Sequence, residues 1–200
     1  PLGGKPLIQH VLQASMAAKS IESTDTWVTT DSPEIARISM EVSGVNVLMR
    51  PPALATDTSS SESAILHFAE CEAFDVLVFL QCTSPLTWPE DIDAAVRMVT
   101  HDGYDSVLSV CEDHGGWLCG GFTWQDGGPA PTRKRRQDLV PSYRENGAIY
   151  VTTREALLES SCRLSGKIGL YKMPRQRSYE IDSPEDLYEL DTLMKGGNML

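Results

Sequence analysis

The fold can be inferred from one stretch of this sequence, Asp75-Val76-Leu77-Val78-Phe79-Leu80-Gln81-Cys82-Thr83-Ser84-Pro85-Leu86. Its apolar run is short and rich in β-branched and aromatic residues, which predicts a strand that is buried on both faces. The run ends at Gln81, and Pro85 then removes a backbone donor. Because ligands of parallel α/β sheets bind beyond the carboxyl ends of the strands, residues 81–84 form a candidate site. The alternative is a buried strand that is followed by an ordinary turn.

Helices and strands alternate before and after this stretch. Hydrophobic spacing and capping residues predict helices at 5–19, 33–42, 58–71 and 89–101, and strands at 26–30, 45–49 and 105–110. Beyond Glu112, glycines and tryptophans predict a hairpin with loops, followed by a strand at 144–151, a helix at 153–160, a strand at 168–173 and a helix at 183–194. The alternation predicts an α/β fold whose first part is a parallel sheet with right-handed crossovers.

The composition fits one domain of a protein that does not bind nucleic acid. The chain has 200 residues and a formal net charge of −11, which argues against nucleic acid and anionic membranes as partners. The 5 cysteines are odd in number and lack Cys-x-x-Cys spacing, which predicts reduced thiols in a cytoplasmic protein. No apolar run is long enough to span a membrane, and the first residues show no signal-peptide pattern.

Several arginines are candidates for binding anions. The cluster Arg133-Lys134-Arg135-Arg136 is a dense basic segment in an acidic chain, although it is also compatible with a solvated turn. Arg50 and Arg144 lie beside predicted strand ends, where a guanidinium can grip phosphate or carboxylate with two hydrogen bonds. A surface ion pair is the simpler role for each arginine taken singly.

Glu180 and Asp182 form a candidate metal site. They are two residues apart on a segment predicted to be extended, so both carboxylates project from the same face. Two hard oxygen ligands suit Mg²⁺ when phosphates and waters complete its coordination. The alternative is that the pair only solvates the start of the final helix.

Seven sequence blocks occur in one order and together resemble the acylneuraminate cytidylyltransferases, the CMP-sialic acid synthetase family. The resemblance covers nearly the whole chain, and its Gln-x-Thr-Ser-Pro-Leu and Asn-Gly-x-x-Tyr patterns are specific. The blocks are Gly3-Gly4-Lys5-Pro6-Leu7-Ile8, Thr29-Thr30-Asp31, Arg50-Pro51 with Asp57-Thr58, Leu80-Gln81-Cys82-Thr83-Ser84-Pro85-Leu86, Arg136-Gln137-Asp138, Arg144-Glu145-Asn146-Gly147-Ala148-Ile149-Tyr150 and Glu180-Ile181-Asp182-Ser183-Pro184-Glu185-Asp186-Leu187.

The resemblance implies a fold, a reaction and an assembly. The fold would be a three-layer, parallel-sheet, Rossmann-like α/β domain of the nucleotide-diphospho-sugar-transferase type over residues 1–200, with a small dimerisation lobe at about 113–165. The reaction would join CTP to a sialic acid such as N-acetylneuraminate and release pyrophosphate, with Mg²⁺ as the cofactor. The enzyme would be a cytoplasmic homodimer.

The resemblance also implies roles for individual residues of this sequence. Thr30, Asp31, Arg50 and Ser60 would bind the nucleotide, and Gln81, Ser84, Arg144, Asn146 and Tyr150 would bind or surround the sugar acid. Arg136 would act in catalysis beside the sugar carboxylate. Glu180 and Asp182 would hold the metal, and Asp182 would also be catalytic.

Two departures from the family pattern leave alternatives open. Glu180 stands where the family often has Asp, which changes the reach of one metal ligand. Family members begin with a strand and an Ala-Arg-Gly-Gly-Ser-Lys-like loop that grips the triphosphate, and we expect this chain to lack both. The missing strand would lie between the strands at Trp27–Thr30 and Leu77–Leu80. Two alternatives are open. One is an enzyme for another nonulosonic acid, such as legionaminate or pseudaminate, and the other is a noncatalytic dimerising fragment.

Overall fold

The computed structural model describes residues 1–22, 24–113, 118–119, 123–124, 135, 137 and 141–196. Helices and strands alternate up to residue 113, as predicted. The helices are α1 Leu7–Ala17, α2 Pro33–Met40, α3 Ser61–Cys71, α4 Pro89–Thr100, α5 Arg154–Ser160 and α6 Pro184–Lys195. The strands are β1 Thr26–Thr30, β2 Val45–Met49, β3 Val76–Leu80, β4 Ser106–Asp113, β5 Leu118–Cys119, β6 Thr123–Trp124, β7 Ser142–Thr153 and β8 Ile168–Lys172.

The main sheet has four strands in the order β3-β7-β4-β8. β4 and β8 are parallel, whereas β7 runs antiparallel to both of its neighbours, β3 and β4. The α/β fold class is therefore confirmed, and the sheet is mixed rather than wholly parallel. The apolar composition of β7 does not fix its direction, because a strand that is buried on both faces can pair in parallel or antiparallel fashion with its neighbours.

A second, two-stranded sheet is formed by β1 and β2, which are parallel as predicted. Among the described residues, β1 pairs only with β2, and β3 pairs only with β7. Each of these two strands therefore has one edge without a strand partner. The expectation that a further strand lies between them stays a prediction.

Helices cover both faces of the main sheet, which gives three layers. On one face, apolar side chains of α4 pack against β4 and β7, with α1 beside them; the set includes Ala14, Ile92, Ala95, Val96, Val99, Val107, Ile149 and Val151. On the other face, α3 and α5 pack against β3 through Ile65, Ala69, Leu157, Leu77 and Phe79. Alternate residues of β3 thus contact opposite layers, which is why its sequence is apolar throughout.

The predicted lobe is only partly described. β5 and β6 pair antiparallel as the predicted hairpin, while residues 142–153 of the same range form β7 of the main sheet. Most of residues 114–140 lie outside the described residues, so the lobe and its role in dimerisation stay predictions. No helix of the described residues is both long and apolar enough to cross a membrane.

Candidate active site

The loop after β3 is tied to β7 through Ser84. This residue is fully buried, and its Oγ donates a hydrogen bond to the Asn146 carbonyl at 3.3 Å. Its backbone N–H donates to the Gln81 carbonyl, and its own carbonyl accepts from Thr87 Oγ1 at 3.0 Å. Ser84, predicted to bind substrate, therefore holds the loop in place with its hydroxyl.

Asn146 is the hub of a buried polar network. Its Oδ1 accepts from Ser109 Oγ at 2.6 Å, and its Nδ2 donates to Ser178 Oγ at 2.9 Å and to Met173 Sδ at 3.3 Å. The register between β4 and β7 shifts here, between Leu108 and Val110, so β7 bulges and turns this amide into the interior. Asn146 thereby fixes β4, β7 and the segment that leads to Glu180 relative to one another.

Gln81 and Glu180 converge above Gly147, which follows Asn146 in the bulge. A Cβ atom built on Gly147 would lie 3.0 Å from Glu180 Cδ and 3.2 Å from Gln81 Oε1. The Ile181 N–H donates to the Thr83 carbonyl at 2.9 Å, which ties the Glu180–Asp182 segment to the loop after β3. The predicted sugar-acid contact and the predicted metal pair therefore lie at one end of the sheet.

The charges of Glu180 and Asp182 interact. Burial and then the negative charge of Asp182 raise the pKa of Glu180, with a smaller contribution from Glu145, while Arg144 acts in the opposite direction. Glu180 is half-buried and Asp182 is exposed. Two carboxylates that repel each other are a place where a cation stabilises the ionised forms.

The start of α6 holds Asp182 in position. The Asp186 carboxylate accepts from the backbone N–H groups of Asp182 at 3.1 Å and Ser183 at 2.8 Å, and from Ser183 Oγ. Hydrogen bonds from Ser183 and then from the Asp182 N–H lower the pKa of Asp186. This capping box leaves the Asp182 carboxylate itself free to point into solvent.

The side chains of Glu180 and Asp182 are carboxylates, which are ligands of the kind that Mg²⁺ uses. Within the described part of the chain, no group of three or more His, Cys, Asp or Glu side chains is arranged to hold a metal. Glu180 and Asp182 supply two carboxylates, and Mg²⁺ commonly uses one or two carboxylates and completes its shell with waters and substrate phosphates. The pair therefore fits the predicted ion.

Tyr150 and Arg144 both lie on β7 but have different surroundings. Tyr150 is buried, its hydroxyl donates to Glu145, and the Arg163 guanidinium lies 4.3 Å from its ring centroid. Burial and then the hydrogen bond to Glu145 raise the pKa of Tyr150. Arg144 is exposed, and its Nη2 lies 3.9 Å from Cys111 Sγ. Its guanidinium is thus available to an anion near Glu180.

Three of the predicted nucleotide residues, Thr30, Asp31 and Arg50, lie at or just beyond the ends of β1 and β2. The Arg50 N–H donates to the Thr30 carbonyl at 2.8 Å, and Arg50 Nη2 lies 3.9 Å from Asp31 Oδ1. Thr30 is buried, and its Oγ1 accepts from the Ser32 N–H. Ser60 caps α3 by accepting from the Ser63 N–H at 3.2 Å. Arg136 lies outside the described residues.

Two sets of residues that support the site had no role in the sequence prediction. Arg163 covers the Tyr150 ring and pairs with Glu62 at 3.0 Å. Asp91 is fully buried and accepts two hydrogen bonds from Arg177, at 2.9 and 2.6 Å. Both pairings join residues far apart in the chain. Nothing in the local sequence pattern signals them, beyond the position of Asp91 in the first turn of α4.

Two known proteins are similar to most of this sequence. The N-acylneuraminate cytidylyltransferase B of Danio rerio is 35% identical over 194 residues, which cover 90% of this chain and 43% of the fish protein. The N-acylneuraminate cytidylyltransferase of Streptococcus agalactiae is 32% identical over 92% of this chain and 46% of its own length. The chain thus spans a little under half the length of these relatives.

Solved structures support the fold, and the family profile identifies the chain. A CMP:2-keto-3-deoxy-manno-octonic acid synthetase complexed with CTP aligns with a TM-score of 0.71 at 16% identity, over 98% of this chain and 90% of its own. The 4-diphosphocytidyl-2C-methyl-D-erythritol synthase of Anaerococcus prevotii aligns with a TM-score of 0.69 at 9% identity, over 98% and 88%. The sequence profile of the cytidylyltransferases matches residues 1–116, more than half of the sequence, and the chain belongs to the cytidylyltransferase family.

Proposed function

We propose that this chain carries the sugar-acid and metal side of an enzyme that joins CTP to a sialic acid, giving CMP-sialic acid and pyrophosphate. The observation that carries the proposal is the convergence of Gln81, Glu180 and Asp182 at the end of β3, in a member of the cytidylyltransferase family. The names of the relatives with 32 to 35% identity favour a sialic acid as the acceptor.

The chemistry is a displacement at the α-phosphorus of CTP. The anomeric hydroxyl of the sugar acid attacks this phosphorus, a new P–O bond forms, and the bond to the β-phosphate breaks. Pyrophosphate leaves, and the hydroxyl proton is released to the solvent. Because the attacking and leaving oxygens must lie in line, positioning and charge stabilisation supply most of the rate enhancement.

The acceptor side of this reaction is assigned to β3 and β7. Gln81 faces the site from the end of β3 and offers one acceptor and two donors to sugar hydroxyls. Arg144 is exposed beside Glu180 and offers a planar fork of donors that suits the sugar carboxylate. Asn146 and Tyr150 act from beneath, since both side chains are buried and bonded within the protein.

The donor side is assigned to the ends of β1 and β2 and to the start of α3. Arg50 is a cation close to Asp31, and its Nε is buried without a hydrogen-bond partner among the described residues. A phosphate or a pyrimidine carbonyl would satisfy that donor. Thr30 orients the chain at this point by accepting from Ser32, and Ser60 presents the N-terminus of α3.

Glu180 and Asp182 are proposed to hold Mg²⁺, which would offset the charge of the phosphates and polarise the α-phosphoryl group. Their contribution is to present two carboxylates side by side, one half-buried and one open to solvent. Arg136 is proposed to act beside the sugar carboxylate. Assembly as a homodimer in the cytoplasm belongs to the same proposal.

The test is product formation from CTP with Mg²⁺ by the full-length protein, meaning here this chain joined to an N-terminal strand and phosphate-binding loop of the family pattern. N-acetylneuraminate, legionaminate and pseudaminate are offered separately, and the nucleotide sugar is identified by its mass. We expect the CMP derivative of N-acetylneuraminate to form fastest. A preference for legionaminate or pseudaminate would redirect the assignment to another nonulosonic acid. Failure of the full-length protein to form any CMP sugar would favour a noncatalytic, dimerising role and contradict the proposal.

A further inference from the structure

Gly147 lies next to the side chains of Gln81 and Glu180. It is buried in the β7 bulge, and its φ of +65° is a conformation that favours glycine. A Cβ atom on this residue would overlap with Glu180 Oε1 and would crowd Glu180 Cδ at 3.0 Å and Gln81 Oε1 at 3.2 Å. The space that a side chain would need is therefore filled by the two polar groups of the site.

The backbone conformation alone does not account for this arrangement. Gly103, in the loop after α4, has a φ of +71°, yet a Cβ atom there would meet nothing within 4 Å. An alanine at Gly103 would meet only the strain of the left-handed conformation. An alanine at Gly147 would meet the same strain and, in addition, the Glu180 carboxylate.

The added contact falls on a group that can move. Glu180 has a long side chain, so its carboxylate can rotate to another rotamer while the backbone stays in place. Gly166 shows the contrasting case, because a Cβ atom there would lie 2.7 Å from Asp105 Cβ, and Asp105 Oδ2 already accepts from the Lys167 N–H at 2.7 Å. A side chain at residue 147 would therefore displace the Glu180 carboxylate and leave the backbone fold in place.

We propose that Gly147 is a positioning residue for the divalent-cation site, because its missing side chain lets the Glu180 carboxylate stand beside Asp182 and the Gln81 amide. The inference rests on the proposed function, since it deepens the role of Glu180 and Asp182 in holding Mg²⁺. It assigns to the Asn-Gly pair of the bulge two separate tasks. Asn146 ties the strands together, and Gly147 makes room for the ligand.

The first test measures the affinity of the full-length protein for Mn²⁺, used in place of Mg²⁺ because its paramagnetism reports binding directly. We expect Gly147→Ala to weaken binding about tenfold or more, the scale found when residues that orient metal ligands are changed. Gly103→Ala is the matched control and should bind Mn²⁺ like the parent protein. Both variants should lose similar amounts of stability in urea, because both place alanine at a positive φ.

A second variant separates crowding from a general disturbance of the bulge. Glu180→Asp shortens the side chain by one methylene, so its carboxylate no longer reaches the Cβ of residue 147. Introducing Gly147→Ala should therefore cost less Mn²⁺ affinity in the Glu180→Asp protein than in the parent. Equal losses in both backgrounds, or an equal loss in Gly103→Ala, would overturn the proposal.

Crystal structures without metal or substrate test the positioning independently of the proposed function. In Gly147→Ala we expect the β7 backbone to be unchanged and the Glu180 carboxylate to have turned away from Asp182. A carboxylate that stays in place would overturn the proposal, whatever reaction the protein catalyses. If the parent protein binds no Mn²⁺, the metal role of the pair is wrong, and the crystal structures still decide whether Gly147 positions Glu180.

Discussion

At the scale of single residues, the most specific prediction concerns the effect of Asp182 on activity. Its carboxylate is exposed, while its backbone N–H is held by Asp186, so its charge can be removed without disturbing the start of α6. Asp182→Asn keeps the shape and deletes the charge that attracts a hard cation. In the full-length protein we expect kcat to fall about a hundredfold or more, a typical loss when one electrostatic contribution is removed.

The melting temperature of Asp182→Asn should change little, and raising Mg²⁺ should restore part of the activity by mass action. Asp102→Asn, at an exposed position in the loop after α4, is the control for a lost surface charge. Parent-like activity with an unchanged Mg²⁺ dependence would mean that Asp182 only solvates the helix start.

Arg144 is expected to distinguish the two substrates. The residue is exposed next to Glu180, and a charge-assisted hydrogen bond contributes about 1.5–3 kcal/mol, so its loss should raise a KM by about tenfold or more. We expect Arg144→Ala to raise the KM for the sugar acid far more than the KM for CTP. Arg37→Ala, which removes an exposed arginine of α2, is the control. An equal rise in both KM values would remove the argument for a role on the sugar side.

The family resemblance predicts roles for individual side chains, but it does not say how each one acts in this structure. It implies that Ser84 and Asn146 bind or surround the sugar acid, and both are fully buried with their polar atoms bonded within the protein. The same Ser or Asn can serve a ligand or a loop, and the difference depends on residues distant in the chain. The roles of Gly147 and Arg163 depend on three-dimensional neighbours in the same way.

At the scale of elements, the buried pair of Asp91 and Arg177 joins the start of α4 to the segment before Glu180. Asp91 also accepts from the Tyr171 hydroxyl at 2.8 Å and from the Trp88 N–H at 3.1 Å, so its charge is fully enclosed by donors. Asp91→Asn would leave the Arg177 guanidinium, whose side chain is 22% exposed, without its counter-charge. Breaking a buried pair in this way costs about 3–5 kcal/mol.

Urea unfolding should show this loss for Asp91→Asn and almost none for Glu41→Gln. The control breaks the Arg37–Glu41 pair on α2, whose side chains are 66% and 51% exposed, and pairs of this kind contribute at most about 1 kcal/mol. If the two variants unfold at the same urea concentration, Asp91 does not anchor the segment before Glu180.

The order of the helices and strands along the chain could be predicted from the sequence, whereas the pairing of the strands in the sheet could not. Capping residues and hydrophobic spacing are local signals, so the predicted helices and strands lie close to those of the structure. Pairing is not local, and nothing in the composition of β7 indicates that it runs antiparallel between β3 and β4. The Asn146 network forms at this crossing, which is why its hub could not be derived from the sequence.

At the scale of the whole molecule, the two sheets are joined by helices rather than by strand pairing among the described residues. Trp27 of β1 packs against Phe68 of α3 at 5.9 Å between ring centroids, and Phe68 stacks on Phe74 just before β3. On α1, Ser15 bonds to Thr26 of β1, and neighbouring residues of the helix pack against the α4 layer. The free edges of β1 and β3 are thus held in one body by α1 and α3.

These free edges lead to a prediction about the 200-residue chain by itself. Within the described part of the chain, the backbone N–H and C=O groups along each of these edges pair with no other strand, and exposed edges of this kind promote aggregation. A strand that paired with both would join the two sheets and remove the hazard, and the family resemblance predicts such a strand followed by a phosphate-binding loop. We therefore expect the isolated chain to be poorly soluble or inactive, and an added N-terminal strand and loop to restore cooperative melting and turnover.

The control for this experiment is the same N-terminal segment with two prolines in the strand, which removes donors that pairing requires. This control should leave the chain as poorly soluble or inactive as it is without the segment, because added residues that do not pair cannot cover a strand edge. Solubility, the sharpness of thermal unfolding and CMP-sugar formation are measured on all three forms. A soluble, cooperatively melting and fully active 200-residue chain would contradict the prediction, since the open edges of β1 and β3 would then carry no cost.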